Sequence, residues 1–257
     1  MNVSSRREVI RTLLGTKPFI SLDELTAAFP EVSQMTLRRD IEYFEKQGEA
    51  IKVRGGARSM KFITTSMEDA FSKRLHENVM TKENLAVEAV KMIETGRSIF
   101  LDSGTTMLTL AALLPDERFT VTTTGPNVAL EIIKKRKPMV NIVGGMLNRD
   151  NISVVGNSAL EFIDSINIDI AFIVPSGVSA DGLTGGNYTE CEIKKKIIEK
   201  AHKVVVLMNL SKMNKVLPYN VCPLEDIDVL ITDRLLPPDM AQRLKNAKTE
   251  IIITQYN

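Results

Sequence analysis

Two periods of apolar spacing divide this chain. Over the first sixty residues the spacing is mostly helical. Val9, Ile10, Leu13 and Leu14 share one face of a helix predicted from about Ser5 to Leu14, and Gly15 ends it. In SLDELTAAF, Ser21 stands three residues before Glu24, the spacing of a capping box. Leu22, Leu25 and Phe29 form the buried side, and Pro30 stops the helix. In VSQMTLRRDIEYFEKQG, Leu37, Ile41 and Phe44 make the apolar stripe and Ser33 is the expected N-cap. At about 100° per residue, Met35 and Arg39 face away from that stripe, flanked by Thr36 and Arg38. Alternation takes over in GEAIKVRGGARSM. There Ile51 and Val53 point one way and Lys52 and Arg54 the other, Gly55-Gly56 supplies the positive φ of a tight hairpin, and Ala57 to Met60 returns as a second strand.

Beyond a stretch that reads as linker and amphipathic helix, short β-branched runs alternate with helical patterns. Strands are expected at 98–101, 119–123, 139–143, 170–174, 203–208, 228–232 and 249–254. Helices are expected at 82–95, 105–114, 126–136, 157–165, 188–202 and 238–246. Such alternation predicts an α/β fold with a doubly wound, mostly parallel sheet. The expected organisation is a small helical domain over 1–60, a linker helix over 61–80 and an α/β domain over 81–257.

Composition narrows the setting. No apolar run approaches the roughly 18 residues of a membrane span. The N-terminal stretch lacks a signal-peptide pattern. Cys191 and Cys222 lie far apart in sequence, which supports neither a disulfide framework nor a zinc site. A cytoplasmic protein without a cofactor is expected. Charge is slightly uneven: residues 1–61 hold eleven Lys/Arg against eight Asp/Glu, and the remainder 22 against 24. The basic excess of the first part permits contact with nucleic acid without requiring it.

The order of elements sharpens that permission. Two short helices joined by about four residues, the second with arginines near its start, form a helix–turn–helix, and a basic hairpin after it is a wing. Alone, the arginine helix could equally present a solvated face with an Arg38–Glu42 pair, and the hairpin could simply close a small core. Together they point to double-stranded DNA. This stretch resembles the winged helix–turn–helix of the DeoR family of bacterial transcriptional regulators, matching its Ser-x-x-Thr-x-Arg-Arg-Asp pattern and Gly-Gly wing at Ser33, Thr36, Arg38, Arg39, Asp40, Gly55 and Gly56. Candidate DNA-binding residues are Ser33, Gln34, Thr36, Arg38, Arg39, Lys52, Arg54, Gly55, Gly56 and Arg58. Met35-Thr36-Leu37 departs from the more polar start common in the family.

In doubly wound sheets ligands sit beyond the carboxyl ends of the strands, so the residues after each run are the ones to inspect. After the first comes DSGTT. Gly104 lets backbone approach an anion, and Ser103, Thr105, Thr106 and the N–H groups opening the next helix can donate to it. A capped strand-to-helix turn reads the same way. Asp102 repels phosphate and is better suited to holding the loop or accepting from a sugar hydroxyl. Gly144-Gly145 follows the third run. A polar glycine-rich loop, 175–190, follows the fourth, with Asn187 and Glu190 as acceptors. Lys212 follows the fifth and can pair with phosphate or merely be solvated. The DeoR resemblance extends over these segments in family order. It implies a sensor domain similar to ribose-5-phosphate isomerase that binds a phosphorylated sugar or polyol, with binding relieving repression. Matching positions are Asp102, Gly104, Thr105, Thr106, Gly144, Gly145, Asn187, Glu190 and Lys212, and Ser103 lies within the same loop. TTTGPN (122–127) and Asn209 depart from the family pattern at the presumed sugar end. A symmetric dimer or tetramer on a palindromic operator is implied. The competing reading is a phosphosugar isomerase with Glu190 or Asp181 as base and Lys212 as oxyanion stabiliser.

Overall fold

The computed structural model describes residues 3–59, 71–213 and 215–254. The chain divides into two compact units, Met1–Met67 and Glu68–Asn257. Among the described residues no helix is long and apolar enough to cross a membrane.

The first unit runs α1 (Val3–Thr16), β1 (Phe19–Ser21), α2 (Leu22–Ala28), α3 (Gln34–Lys46), β2 (Ala50–Val53) and β3 (Gly56–Ser59). Both arms of the capping box form: Glu24 N–H donates to Ser21 Oγ and Ser21 N–H to Glu24 Oε2, each at 3.0 Å. Ser33 Oγ caps α3 by accepting from Thr36 N–H. Leu37, Ile41 and Phe44 pack with Ile10, Leu14, Ile20 and Leu25 in one core. Strand β1 was not expected, because Phe19-Ile20 is too short to show alternation. It pairs antiparallel with β3 and makes the wing a three-stranded sheet, β1-β3-β2. Of the two wing glycines only Gly55 has positive φ (+86°). Gly56 is required for space, since a Cβ there would lie 2.1 Å from the Ile20 carbonyl oxygen. The alternation expected in β2 also fails. On this edge strand Ala50 is buried, Ile51 and Lys52 are exposed and Val53 is half-buried.

The second unit opens with α4 (Phe71–His76) and α5 (Val79–Val90), then β4 (Ser98–Leu101), α6 (Thr105–Leu113), β5 (Thr120–Thr123), α7 (Pro126–Ile132) and β6 (Met139–Ile142). The hairpin β7 (Met146–Asn148) and β8 (Ser153–Val155) follows, then α8 (Asn157–Asp164) and β9 (Ile170–Ile173). Next come β10 (Gly177–Ser179), β11 (Gly182–Gly185), α9 (Tyr188–Lys200), β12 (Val204–Met208), β13 (Tyr219–Cys222), β14 (Val229–Thr232), α10 (Pro238–Asn246) and β15 (Glu250–Ile253). Seven strands form one parallel sheet in the order β15-β14-β12-β9-β4-β5-β6. Each lies within a residue of its expected bounds. Apolar cores cover both faces. Ile99 and Leu101 of β4 enter the one lined by α5, α6 and α7. Phe100 enters the other, lined by α8, α9 and α10.

Some helical expectations shift. The helix expected at 82–95 spans Val79–Val90, and Gly96, at φ +85°, shapes the turn into β4. The helix expected at 126–136 ends at Ile132, because Asp116 takes the N–H groups of Arg136 and Lys137 at 2.9 and 2.8 Å. The first ten residues of the expected linker helix, 61–70, lie outside the described residues, as does Met60 of the wing. The stretch expected as an open loop at 175–190 contains the hairpin β10–β11, which pairs with β13. Its glycines hid the strands. Gly182, at φ +132°, leaves no room for a Cβ, which would meet the Cys222 carbonyl oxygen at 2.2 Å.

Candidate functional site

On the first unit, α3 offers its candidate side chains outward. Ser33, Gln34, Arg38 and Arg39 are exposed and Thr36 is half-buried, while Asp40 between them and the core is buried. Asp40 is the inward counterpart of the arginine pair. Its carboxylate accepts from Arg6 Nε at 2.6 Å and Arg7 Nε at 2.9 Å, tying α1 to α3. Arg38, Lys52, Arg54, Gly55 and Gly56 line one groove between α3 and the wing, with Leu22, Ile41, Glu45 and Val53. The wing is pinned to α3 by two carboxylates. Glu42 pairs with Lys52 Nζ at 2.6 Å, and Glu45 accepts from Lys52 N–H at 2.9 Å. The lysine holds the Glu42 carboxyl below its usual range. Glu42 thus pairs with Lys52 and not with Arg38, the partner that a merely solvated face would offer. Arg58 is exposed on β3, outside the groove. A helix start with outward arginines beside a basic hairpin is built to meet a groove and its phosphates.

On the second unit, the strand order reverses between β4 and β9, where doubly wound sheets bind ligands. Asp102 leaves β4 there and is almost fully buried. Its Oδ1 accepts from Ser103 N–H at 2.8 Å, its Oδ2 from Val174 N–H at 3.0 Å, and its carboxylate pairs with Lys194. Lys194, on α9, donates also to the Val174 carbonyl at 2.8 Å. Asp102 thus ties the two strands together and is not among the residues that line the cleft above.

That cleft opens above Asp102. Ser103, Gly104, Thr105 and Thr106 line one wall, with Arg74, Lys82, Lys194 and Lys212 as cations and Glu77 and Glu190 as anions. Gly104 has φ +114°, so the turn into α6 favours glycine, and Gly104, Thr105 and Thr106 are buried where they line the cleft. Lys82 is buried and donates to the Arg74 carbonyl. Burial, and then the charge of Arg74, pull its pKa down; Glu77 opposes this in part and Lys212 adds to it. Across the cleft, Glu190 accepts from Asn148 Nδ2 at 2.9 Å, from Asn151 Nδ2 at 2.7 Å and from Ser153 Oγ. One part of the cleft is thus crowded with positive charge, and another holds an oriented carboxylate among amides.

Of the sequence candidates, Ser103, Gly104, Thr105, Thr106, Glu190 and Lys212 come together here. Gly144 and Gly145 are exposed and do not line the cleft. Gly145 admits the hairpin β7–β8, since a Cβ there would lie 2.5 Å from the Val155 carbonyl oxygen. Asn187 caps α9, accepting from Glu190 N–H at 3.1 Å. Arg74, Lys82, Lys194, Asn148, Asn151 and Ser153 were not singled out from sequence. Lys194 alone left a signal: it shares a helix face with Glu190, Ile197 and Ile198, on a stripe that should be buried. Asp181 is exposed beside Arg243, 3.6 Å away, and is not a cleft residue. Among the described residues no cluster of His, Cys, Asp or Glu could hold a metal ion.

A winged helix–turn–helix followed by an α/β unit with a polar cleft at its switch point defines a DNA-binding regulator that carries its own sensing domain. Comparison with known proteins makes the class specific. The model described as DeoR C terminal sensor domain matches residues 77–234, and the DeoR-like helix-turn-helix domain matches 6–62. The chain belongs to the DeoR family of transcriptional regulators. Similar relatives include the transcriptional repressor GlcR of Bacillus subtilis, 30% identical over 88% of this chain and 87% of that one. The glycerol-3-phosphate regulon repressor of Haemophilus influenzae is 29% identical over 98% of each chain. Among solved structures, ribose 5-phosphate isomerase A from Methanocaldococcus jannaschii aligns with a TM-score of 0.39 and 21% identity, over 52% of this chain and 54% of that chain. The translation initiation factor eIF-2B of Pyrococcus horikoshii aligns at 0.41 and 15%, over 90% and 82%. At these scores neither likeness bears on function.

Proposed function

We propose that this regulator represses carbohydrate-metabolism genes in the cytoplasm and leaves its operator when a phosphorylated sugar or polyol enters the cleft. The observation that carries this reading is the cleft's polarity. A phosphate suits the start of α6 beneath Arg74, Lys82 and Lys212, and hydroxyls suit Glu190 and its amide neighbours. The relative named for the glycerol-3-phosphate regulon agrees with such a ligand class. The ligand shifts the population between two arrangements of the protein, provided it binds one of them better. We take the cleft to bind its ligand without turning it over: Glu190 is held by three donors, Asp102 is paired with Lys194, and Glu77 lies 3.7 Å from Lys73, so each carboxylate at or under the cleft has a structural partner.

A homo-oligomer would set two recognition helices about 34 Å apart on a palindromic site. Leu130, Ile133, Met139, Ile142, Met146 and Leu147 are 48–69% exposed on and around the edge strand β6, the surface we assign to a second copy. Sedimentation of Ile142→Lys should show smaller assemblies than the parent; unchanged assembly places the interface elsewhere.

The deciding experiment is fluorescence anisotropy on DNA from upstream of the protein's own gene, at one stated salt concentration. It is repeated with a panel of phosphorylated sugars and polyols. Release by one compound, and not by its unphosphorylated form, is expected. Specific binding that no compound alters would overturn the ligand class, and absence of specific binding would overturn the operator. Incubating the full chain with ribose 5-phosphate should yield no ketose; turnover would restore the isomerase reading.

A further inference from the structure

Helix α4 is the first described element after the DNA-binding unit, and it reaches into the cleft. It is six residues long, too short to be stable alone. Its outer face is largely solvated, with Ser72, Lys73, Leu75 and His76 exposed. Phe71 is buried at its start, and Phe71 N–H donates to the Asp150 carbonyl at 3.2 Å. Its other described ties run to groups that line the cleft. Arg74 Nη2 donates to Asn151 Oδ1 at 2.8 Å, Asn151 in turn donates to Glu190, and Lys82 holds the carbonyl end at Arg74. The Arg74 guanidinium stands over the turn into α6, with Nη1 4.0 Å from where a Cβ on Gly104 would lie. Between α4 and α5 the chain turns at Asn78, a non-glycine residue in the left-handed region at φ 50° with no side-chain cap bond.

From these contacts we infer that Arg74 is an effector-binding residue and that α4 is the element through which occupancy of the cleft is reported to the DNA-binding unit. The inference rests on the anion-binding reading of the cleft. An oxyanion at the start of α6 meets the guanidinium from below, as a paired, charge-assisted partner. Arg74 then holds the anion as well as Asn151. The anion adds one more tie to a helix already held through Phe71, Asn151 and Lys82. Asn78 is where the backbone takes up the change. A helix with few buried apolar contacts opens locally at low cost, so small differences in polar contact move its population.

The test uses the full-length protein with inorganic phosphate as the probe, because phosphate occupies the anion position whatever sugar accompanies it. Hydrogen exchange is followed on peptides covering 71–78 and 103–110. In the parent, phosphate should slow exchange in both. Slowing at 103–110 alone would leave the anion site standing and overturn the role of α4. No slowing in either would overturn the anion site, and the inference with it. In Arg74→Ala, the phosphorylated compound that releases the parent should be needed at about tenfold higher concentration or more, measured relative to that variant's own operator affinity without ligand. Arg74→Lys should recover part of that loss, since charge remains and the planar fork does not. Release of Arg74→Ala at the parent's ligand concentration would overturn the inference even if the panel had identified an effector.

Discussion

Replacing Asp40 by alanine removes one carboxylate and strands a guanidinium. Arg6 is 5% exposed and Asp40 2%, so the pair is buried between α1 and α3. Deleting one partner of such a pair leaves an uncompensated charge and costs about 3–5 kcal/mol. Arg7 adds little, because its side chain is 29% exposed and solvent screens its share. A unit of this size has a total stability of only about 3–9 kcal/mol. The substitution therefore consumes a large part of it, and at about 4 °C per kcal/mol or more the unit's melting point should fall by at least about 12 °C. The assay is scanning calorimetry of the full chain, with hydrogen exchange on peptides from 3–59 to assign the transition. Operator affinity should fall only as far as the folded fraction falls. A double change, Arg6→Met with Asp40→Leu, should recover much of the loss, because two apolar groups leave no charge to bury. If Asp40→Ala melts within about 2 °C of the parent, or the double variant is no better than the single, the ion pair does not hold these helices together.

Three further outcomes follow from the geometry. Arg39→Ala should weaken operator binding by about 10–100-fold while leaving ligand-induced stabilisation of the sensor unit intact, and unchanged affinity in anisotropy would remove Arg39 from the interface. Lys82 has its pKa lowered by burial and by neighbouring cations, and a bound phosphate raises it again. Anion affinity is then full below the lowered pKa of the empty cleft and declines as pH rises toward the higher pKa of the occupied one. Calorimetry in buffers of different ionisation enthalpy should detect proton uptake in that alkaline window, and its absence would place the anion away from Lys82. Burial pushes the thiols of Cys191 and Cys222 up to about 11 and about 12. Iodoacetamide at pH 8 should leave both unmodified in the native protein and label both after unfolding; rapid native labelling would contradict their burial.

What was legible in sequence was whatever depends on neighbours along the chain. The stripe Leu37–Ile41–Phe44, the Ser21–Glu24 box and the β-branched runs of the sheet all express local periodicity, and all appear where expected. The DSGTT turn was legible because strand, glycine and helix start are contiguous. The rest of the cleft is made by tertiary placement. Arg74 and Lys82 precede the first strand of the sheet and reach the cleft through α4 and α5. Asn148, Asn151 and Ser153 converge on Glu190 through a hairpin about forty residues earlier. No spacing rule links them. The glycine pairs carry a reason that the sequence did not show: Gly145 and Gly56, candidates for touching ligands, each also give close passage to another strand.

Gly56 has a consequence for how this family member can acquire new targets. With the Ile20 carbonyl 2.1 Å from any Cβ at that position, the height of the wing is set by main chain resting on main chain. The side chains proposed to meet DNA at Gln34, Thr36 and Arg38 belong to α3 and take no part in that main-chain contact. On that reading, substitutions there change which operator is read while the main-chain rest of the hairpin stays in place, so regulatory specificity can drift on a fixed wing.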